Sequence, residues 1–220
     1  MRQVCLKILP ILVFGLFSIN VQAGDYFKSD RFILDFYSPQ WVNTPGGVST
    51  DPSFSFAFSL GKDIPYKKYN FSFFYGLGYD FTNINHNVNL KSLSDYDVTA
   101  REIGLRVLNA PYNLNKLSTQ YLELPIEFRY RTQTKNPFRF YAGCKIGYMT
   151  KSKYTLDKVS ADKYERKSLN ELERLKYGLT MRIGYGLVNF YTYYGLNGLI
   201  VPEKQKGVNQ LSFGISLIAN

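Results

Sequence analysis

Apolar and polar residues alternate one by one along most of this chain. The segment 121–131 shows the pattern best, because every second position is apolar and most of the positions between them are charged. The apolar positions are Leu122, Leu124, Ile126, Phe128 and Tyr130, and the charged ones are Glu123, Glu127, Arg129 and Arg131. Successive residues of a β-strand point to opposite faces. The segment is therefore predicted to be a strand with one apolar and one charged face.

Eight segments carry this alternation. They span about 31–38, 53–60, 69–83, 119–132, 138–150, 174–185, 187–199 and 209–218. Each is near or above the ~9–11 residues that a tilted membrane strand requires. The connections alternate between long (39–52, 84–118, 151–173, 200–208) and short (61–68, 133–137, 186). Short turns on one side and long loops on the other are typical of outer-membrane barrels with periplasmic termini.

The predicted fold is all-β: an eight-stranded antiparallel up-and-down transmembrane β-barrel. The connection 84–118 is long enough to hold a hairpin of its own, within 96–108, so ten strands is the alternative. Beyond the amino-terminal 23 residues, no segment has 18 uninterrupted apolar residues, so the sequence predicts no membrane-spanning helix there.

The apolar face of each strand is assigned to lipid and the polar face to the lumen. Eight strands leave an interior that side chains just fill, and inward glycines relieve crowding there. A basic residue facing lipid would cost about 2–4 kcal/mol at the midplane. Inside, charges must be paired, and both signs are present. The predicted lumen charge network is Asp35, Asp80, Glu123, Glu127, Arg129, Arg139, Lys145, Lys176 and Arg182.

The amino terminus predicts export. Arg2 and Lys7 form a basic start before an apolar stretch over 8–19, and Val21-Gln22-Ala23 supplies the small residues of a cleavage site. We therefore expect a signal peptide at 1–23 and an outer-membrane β-barrel domain at 24–220. A transmembrane anchor is disfavoured, because the apolar run is shorter than the ~20 residues that a spanning helix needs.

Composition narrows the function classes. The chain has 19 Tyr and 17 Phe against one Trp, which is typical of strands and membrane interfaces. Its net charge is +10, but acidic residues interrupt the basic run at 151–167, which indicates a solvated loop. Together with export, this argues against a nucleic-acid partner. After cleavage only Cys144 would remain, so no internal disulfide is expected, and a small apolar role is assigned to it.

Catalytic and metal chemistry find little support in the sequence. His86 is the only histidine, and it follows the third predicted strand. Outer-membrane lipid enzymes also resemble eight-strand barrels and use Ser, His and a carboxylate. By residue type alone, Asp80 could be that carboxylate. A lone histidine between two asparagines is more often a polar loop residue. Glu123 and Glu127 lie roughly 13 Å apart along a strand, too far to share a proton. No catalytic, metal-binding or cofactor-binding residue is predicted.

Several segments together resemble the PorT-like outer-membrane β-barrel family. They are Tyr121-Leu-Glu-Leu-Pro125, Phe140-Tyr-Ala-Gly-Cys-Lys-Ile-Gly-Tyr148, Tyr177-Gly-Leu-Thr-Met-Arg-Ile-Gly184, Tyr193-Tyr-Gly-Leu196 and, in the first predicted loop, Trp41-Val-Asn-Thr-Pro45. The resemblance covers nearly all of the chain after the signal peptide and implies an outer-membrane location. The namesake of the family is associated with protein secretion. The last strand of an outer-membrane barrel often ends in an aromatic residue, whereas this sequence ends in Leu-Ile-Ala-Asn220.

The predicted function is that of a non-enzymatic outer-membrane β-barrel protein. Its role would be structural, assembly-related, secretion-related or surface-binding, carried by the external loops. Expected partners are the lipid bilayer, the barrel-assembly machinery during insertion, and a protein or anionic glycolipid bound at 84–118 and 151–173. Two alternatives stay open: a lipid-modifying enzyme that uses His86, and a soluble lipocalin-like carrier. Eight strands leave little lumen, so no large conductance is expected.

Overall fold

The computed structural model describes residues 30–44, 46–66, 70–90, 107–159, 162–199 and 208–219. The predicted signal peptide and most of the hairpin predicted within 96–108 lie outside these residues. The strands are Phe32–Val42 (β1), Thr50–Asp51 (β2), Ser55–Pro65 (β3), Phe71–His86 (β4), Tyr112–Arg131 (β5), Phe138–Lys158 (β6), Tyr164–Lys167 (β7), Leu175–Tyr185 (β8), Val188–Gly195 (β9) and Asn209–Ala219 (β10).

Eight of these strands close into an antiparallel barrel. Around the barrel the order is β1, β3, β4, β5, β6, β8, β9 and β10. Closure comes from β1 and β10, whose register runs from Phe32 opposite Ala219 to Val42 opposite Asn209. The eight-stranded prediction is confirmed. The two further strands, β2 and β7, are short and pair only with β4 and β6. No helix among the described residues is long and apolar enough to cross a membrane.

The barrel has two unlike ends. At the short-turn end the strands join through 66–70, 132–137 and 186–187, and the tightest of these turns uses Gly186 at a positive φ of 57°. That backbone conformation suits glycine, which has no Cβ. At the long-loop end the connections are 43–54, 87–111, 159–174 and 196–208. The predicted alternation of short and long connections is therefore present.

Several strands run further toward the long-loop end than the sequence pattern predicts. β4 ends at His86 instead of 83, β5 begins at Tyr112 instead of 119, and β6 continues to Lys158 instead of 150. Much of the predicted loops 84–118 and 151–173 is therefore strand. The pattern missed these extensions because outward positions there are polar, as at Asn85 and Lys116, so apolar residues no longer mark the outward face while the ladder continues.

The two faces of the strands lie as predicted. On β8 every outward residue is apolar and exposed, namely Leu175, Tyr177, Leu179, Met181, Ile183 and Tyr185. Eleven residues of a strand tilted by about 45° span about 25 Å, the usual height of the apolar band of an outer-membrane barrel. Aromatic residues follow the short-turn edge of this apolar belt: Tyr66, Phe71, Tyr130, Phe138 and Tyr185.

Candidate functional site

The middle of the lumen holds a cluster of two lysines and two carboxylates, contributed by four different strands. Lys145 Nζ lies 2.9 Å from a Glu123 oxygen, and Lys176 Nζ lies 2.7 Å from the other. Lys176 Nζ also lies 3.1 Å from Asp80 Oδ2. The Tyr37 hydroxyl donates a hydrogen bond of 2.8 Å to Asp80. Buried charges are tolerated when they are paired and hydrogen-bonded in this way.

A second cluster lies nearer the short-turn end and centres on Arg182. Its guanidinium contacts Asp35, with Nη2 2.7 Å from Oδ2, and also Glu127. Ser216 accepts a further hydrogen bond of 3.1 Å from Arg182 Nε. Arg129 pairs with the same Glu127 at 2.8 Å. One arginine thus joins carboxylates from β1 and β5 across the lumen.

A third cluster closes the short-turn end of the lumen. Asp30, just before β1, receives two hydrogen bonds of 3.0 Å from Arg139 and lies 2.8 Å from Arg131 Nη1. Asp63 on β3 pairs with Arg131 at 3.1 Å. Burial alone would raise the pKa of Asp30, but the bonds from Arg139 and the charge of Arg131 outweigh it and hold that pKa below its ordinary value of 3.8.

The structure brings all the predicted inward charges into these three clusters, and each of them is buried. The predicted lumen network left out Asp30, Asp63 and Arg131, although Arg131 was placed on the charged face of its strand. A signal for Asp63 existed, because the alternation of Ser59 and Gly61 continues into it, but the predicted strand stopped at residue 60. In the structure β3 continues to Pro65, which turns the carboxylate of Asp63 inward.

Large side chains fill the space between the charge clusters. Tyr121, Tyr141, Tyr191 and Tyr193 are each 1% exposed, and Arg129 is 0% exposed. The guanidinium carbon of Arg129 lies 3.6 Å from the centre of the Phe74 ring, a cation–π arrangement. Gly143 is needed beside this packing, since a Cβ there would lie 2.1 Å from the Ile126 carbonyl oxygen. Side chains this inaccessible to solvent show that the described lumen is filled.

An apolar cap covers the long-loop end of the lumen. It comprises Trp41, Ile84, Val88, Leu90, Leu117, Tyr121, Met149, Tyr154, Leu156, Leu169, Leu172 and Val208. His86 lies among these residues, with its ring 4.8 Å from that of Trp41 and 6.0 Å from that of Tyr154. Trp41 belongs to β1 and not to the first loop, where the sequence had placed it.

The interpretation of His86 as a polar loop residue is wrong, because it is the last residue of β4 and is 0% exposed. The Val88 N–H donates to its Nδ1 at 3.2 Å. Within the described ranges no serine or carboxylate bonds to His86, and Asp80 is engaged by Tyr37 and Lys176. Nor do those ranges contain a group of three or more His, Cys, Asp and Glu residues that could hold a metal ion. Cys144 is half-buried.

Above the apolar belt, β4, β5 and β6 continue as a projecting sheet flanked by β2 and β7. The Tyr79 hydroxyl marks the start of this sheet, because it bonds to Gln120 at 3.0 Å and to Thr150 at 2.7 Å. Glu165 on β7 pairs with Lys153 at 3.0 Å and with Lys163 at 2.9 Å. Its hydrogen bonds with these lysines lower the pKa of Glu165 to about 2.

The solved structures that resemble this chain include two of Ail, the attachment invasion locus protein of Yersinia pestis. One, in complex with the heparin analogue sucrose octasulfate, has a TM-score of 0.37 and 8% identity, covering 87% of this chain and 98% of Ail. The other has a TM-score of 0.34 and 10% identity, covering 86% and 96%. Comparison with curated proteins gave no match. The family model described as "Outer membrane protein beta-barrel domain" matches residues 21–201. The chain therefore belongs to the family of outer membrane β-barrel domains and is an integral protein of the outer-membrane bilayer.

Proposed function

We propose that this protein is a non-enzymatic surface-binding barrel whose partner binds at the projecting sheet and the long loops. The observation that carries the proposal is the contrast between the two parts of the molecule. The lumen is filled with paired charges and closed by the apolar cap, whereas the projecting sheet extends beyond the apolar belt and carries the long connections. Loops of that length in a compact domain usually have a function of their own.

The filled lumen argues against a role as a pore. Charge clusters cross it at three levels, and the tyrosines between them are almost inaccessible to solvent. A conducting channel would need a continuous polar path, and moving these ion pairs apart would leave buried charges without partners. The barrel therefore serves as a rigid support, and binding is assigned to the external surface.

The two alternative functions are not supported by the geometry. A lipid enzyme would need His86 to reach its substrate, but its ring is stacked under Trp41 and covered by the long-loop end. A lipocalin-like carrier would need an apolar interior and a polar exterior, and this barrel has the reverse. Removal of 1–23 and insertion by the barrel-assembly machinery remain part of the proposal.

The projecting sheet carries cations close to the membrane surface, which favours an anionic glycolipid as the partner. Lys151 on β6 lies opposite Gln120, just above the level of Tyr79, and Lys116 on β5 lies opposite Asn85, six residues further along β4. Neither lysine forms an ion pair with a described residue. The side chain of Lys153 is 41% exposed, and its ion-pair partner Glu165 is shared with Lys163. Anionic head groups of the outer leaflet would lie at this height. A protein partner, including one in secretion as the PorT-like resemblance implies, is the competing outcome.

The proposal is tested by removing the cations without disturbing the barrel. In the variant Lys116→Gln/Lys151→Gln/Lys153→Gln we expect a loss of at least tenfold in affinity for fluorescent lipopolysaccharide micelles, measured by polarisation. Lys135→Gln, in an exposed short turn, is the matched control and should bind as the wild type does. Unchanged binding by the triple variant would exclude the glycolipid. Retained capture of a cellular protein by a barrel lacking 91–106 and 159–163 would exclude the loops as the binding surface.

A further inference from the structure

The lipid-facing surface of the barrel has a groove between β3, β4 and β5. Its volume is about 280 Å³. Three outward cross-strand pairs form its floor and sides, in order from the short-turn end: Lys62 with Tyr75, Leu60 with Leu77, and Phe58 with Tyr79. Leu122 of β5 completes the lining. All but the first pair present apolar carbon or an aromatic ring, so the groove is polar at one end and apolar along the rest.

The groove follows from an interruption in the β4–β5 ladder. Pairing with β5 is present at Tyr75 and resumes at Gly78, but the two residues between them have no partner in the register. Pro125 lies opposite the gap and has no N–H to donate. Gly76, at the same place, leaves no room for a side chain on the lumen side, where a Cβ would lie 2.5 Å from the Leu60 carbonyl oxygen. The gap in the ladder is thus explained by the residue types at Gly76 of β4 and Pro125 of β5.

Lys62 is the one charged residue among the described outward positions of the apolar belt. It forms no ion pair or hydrogen bond within the described part of the chain. An unpaired lysine that faces lipid costs free energy, most at the midplane of the bilayer and less toward the interface. A phosphate group would remove that cost. Lys62 is three residues from Pro65, the end of β3, so its long side chain can reach the periplasmic head-group region.

We propose that this groove binds one phospholipid of the periplasmic leaflet. The phosphate is held by the Lys62 ammonium and the Tyr75 hydroxyl, and one acyl chain lies along Leu60, Leu77 and Phe58. The direction fits, because the groove runs from its cationic end toward the middle of the bilayer, as an acyl chain does. The site is independent of the glycolipid surface, which lies at the other membrane face.

The test is a lipid titration of the purified mature protein in detergent, followed by native mass spectrometry. The probe is dioleoyl phosphatidylglycerol, and dioleoylglycerol, which has the same chains without phosphate, is its comparison. We expect one tightly bound phosphatidylglycerol and no comparable dioleoylglycerol. Lys62→Met should weaken the phospholipid about tenfold, the usual effect of one charge-assisted contact. Leu77→Trp, which fills the groove, should abolish the bound lipid.

Two variants control for charge and bulk elsewhere. Lys116→Met removes a cation from the projecting sheet, and Leu179→Trp adds a ring on the outward face of β8. Both should retain the lipid with wild-type affinity. Equal binding of the two probes, or an unchanged phosphatidylglycerol affinity in Lys62→Met, would overturn the proposal. It would also be overturned if the wild type formed dimers that lost the lipid and Leu77→Trp abolished those dimers, because the groove would then be occupied by a second copy of the chain.

Discussion

Asp35 and Arg182 are 147 residues apart in the chain, yet their side chains meet in the lumen with Arg182 Nη2 2.7 Å from Asp35 Oδ2. The same guanidinium contacts Glu127. Because β1, β5 and β8 contribute one residue each, this contact forms only once the barrel has closed. It therefore reports on closure and on the pairing of charges at the same time.

Replacing Arg182 with Met should destabilise the barrel by about 3–5 kcal/mol, because the buried carboxylate of Asp35 loses the guanidinium that pairs with it and Glu127 is left with Arg129. The measurement is the free energy of unfolding from urea titration in lipid vesicles. Arg174→Met, an exposed arginine just before β8, should have little effect. Adding Asp35→Asn and Glu127→Gln to Arg182→Met should recover part of the loss. A triple variant no more stable than Arg182→Met would show that unpaired charge is not the cause.

The neighbouring position tests the outward face. Ile183 faces lipid near the short-turn half of β8, and Ile183→Arg should cost about 2–4 kcal/mol or less, depending on its depth. Heat-modifiable migration on gels and the urea midpoint would both record the change. Gln40→Arg, at an exposed outward position of β1 above the apolar belt, is the control and should insert normally. Equal tolerance of both arginines would mean that the faces are assigned the wrong way round.

Trp41 gives a direct view of the apolar cap because it is the only tryptophan in the chain. It is 7% exposed and stacks on His86, inside the barrel. Its fluorescence should therefore resist quenching both by iodide in water and by brominated acyl chains in the bilayer. His86→Ala should increase iodide quenching and leave bromine quenching unchanged. Strong quenching of the wild type by brominated lipid would place Trp41 outside the barrel.

The strand faces could be predicted from the sequence because lipid and lumen select opposite kinds of side chain. Where the strands extend beyond the lipid, this contrast between the two faces is lost, and the strand ends could not be predicted. Above the apolar belt both faces of β5 and β6 are polar or mixed, so Tyr112 and Lys158 could not be recognised as strand ends. His86 illustrates a second limit. Its polar neighbours Asn85 and Asn87 suggested a loop, whereas its burial depends on Trp41 and Tyr154, which only the closed barrel brings beside it.

The charge network was likewise predictable only in part. Alternation alone identified which charges face inward, as for Glu123 and Lys176. Alternation could not give their partners, because the sequence of a single strand does not determine which residues of distant strands lie beside it across the lumen. Asp30 was missed because it precedes the alternating segment of β1 and has no strand pattern around it. The barrel fixes it instead through Arg131 and Arg139, which come from other strands.

Asp30 makes the short-turn end sensitive to acid. The paired arginines outweigh burial and hold its folded-state pKa below the ordinary 3.8. A carboxylate with a depressed pKa contributes stability that is complete above its unfolded pKa and is lost as the pH falls through the folded one. Wild type should therefore exceed Asp30→Asn in urea midpoint at pH 6, and the difference should shrink as the pH falls from about 5 to about 3. Asp162→Asn, an exposed acid on the connection before β7, provides the matched control and should track the wild type. A difference between wild type and Asp30→Asn that stays constant over this range would show that the stabilisation does not come from the ionised carboxylate.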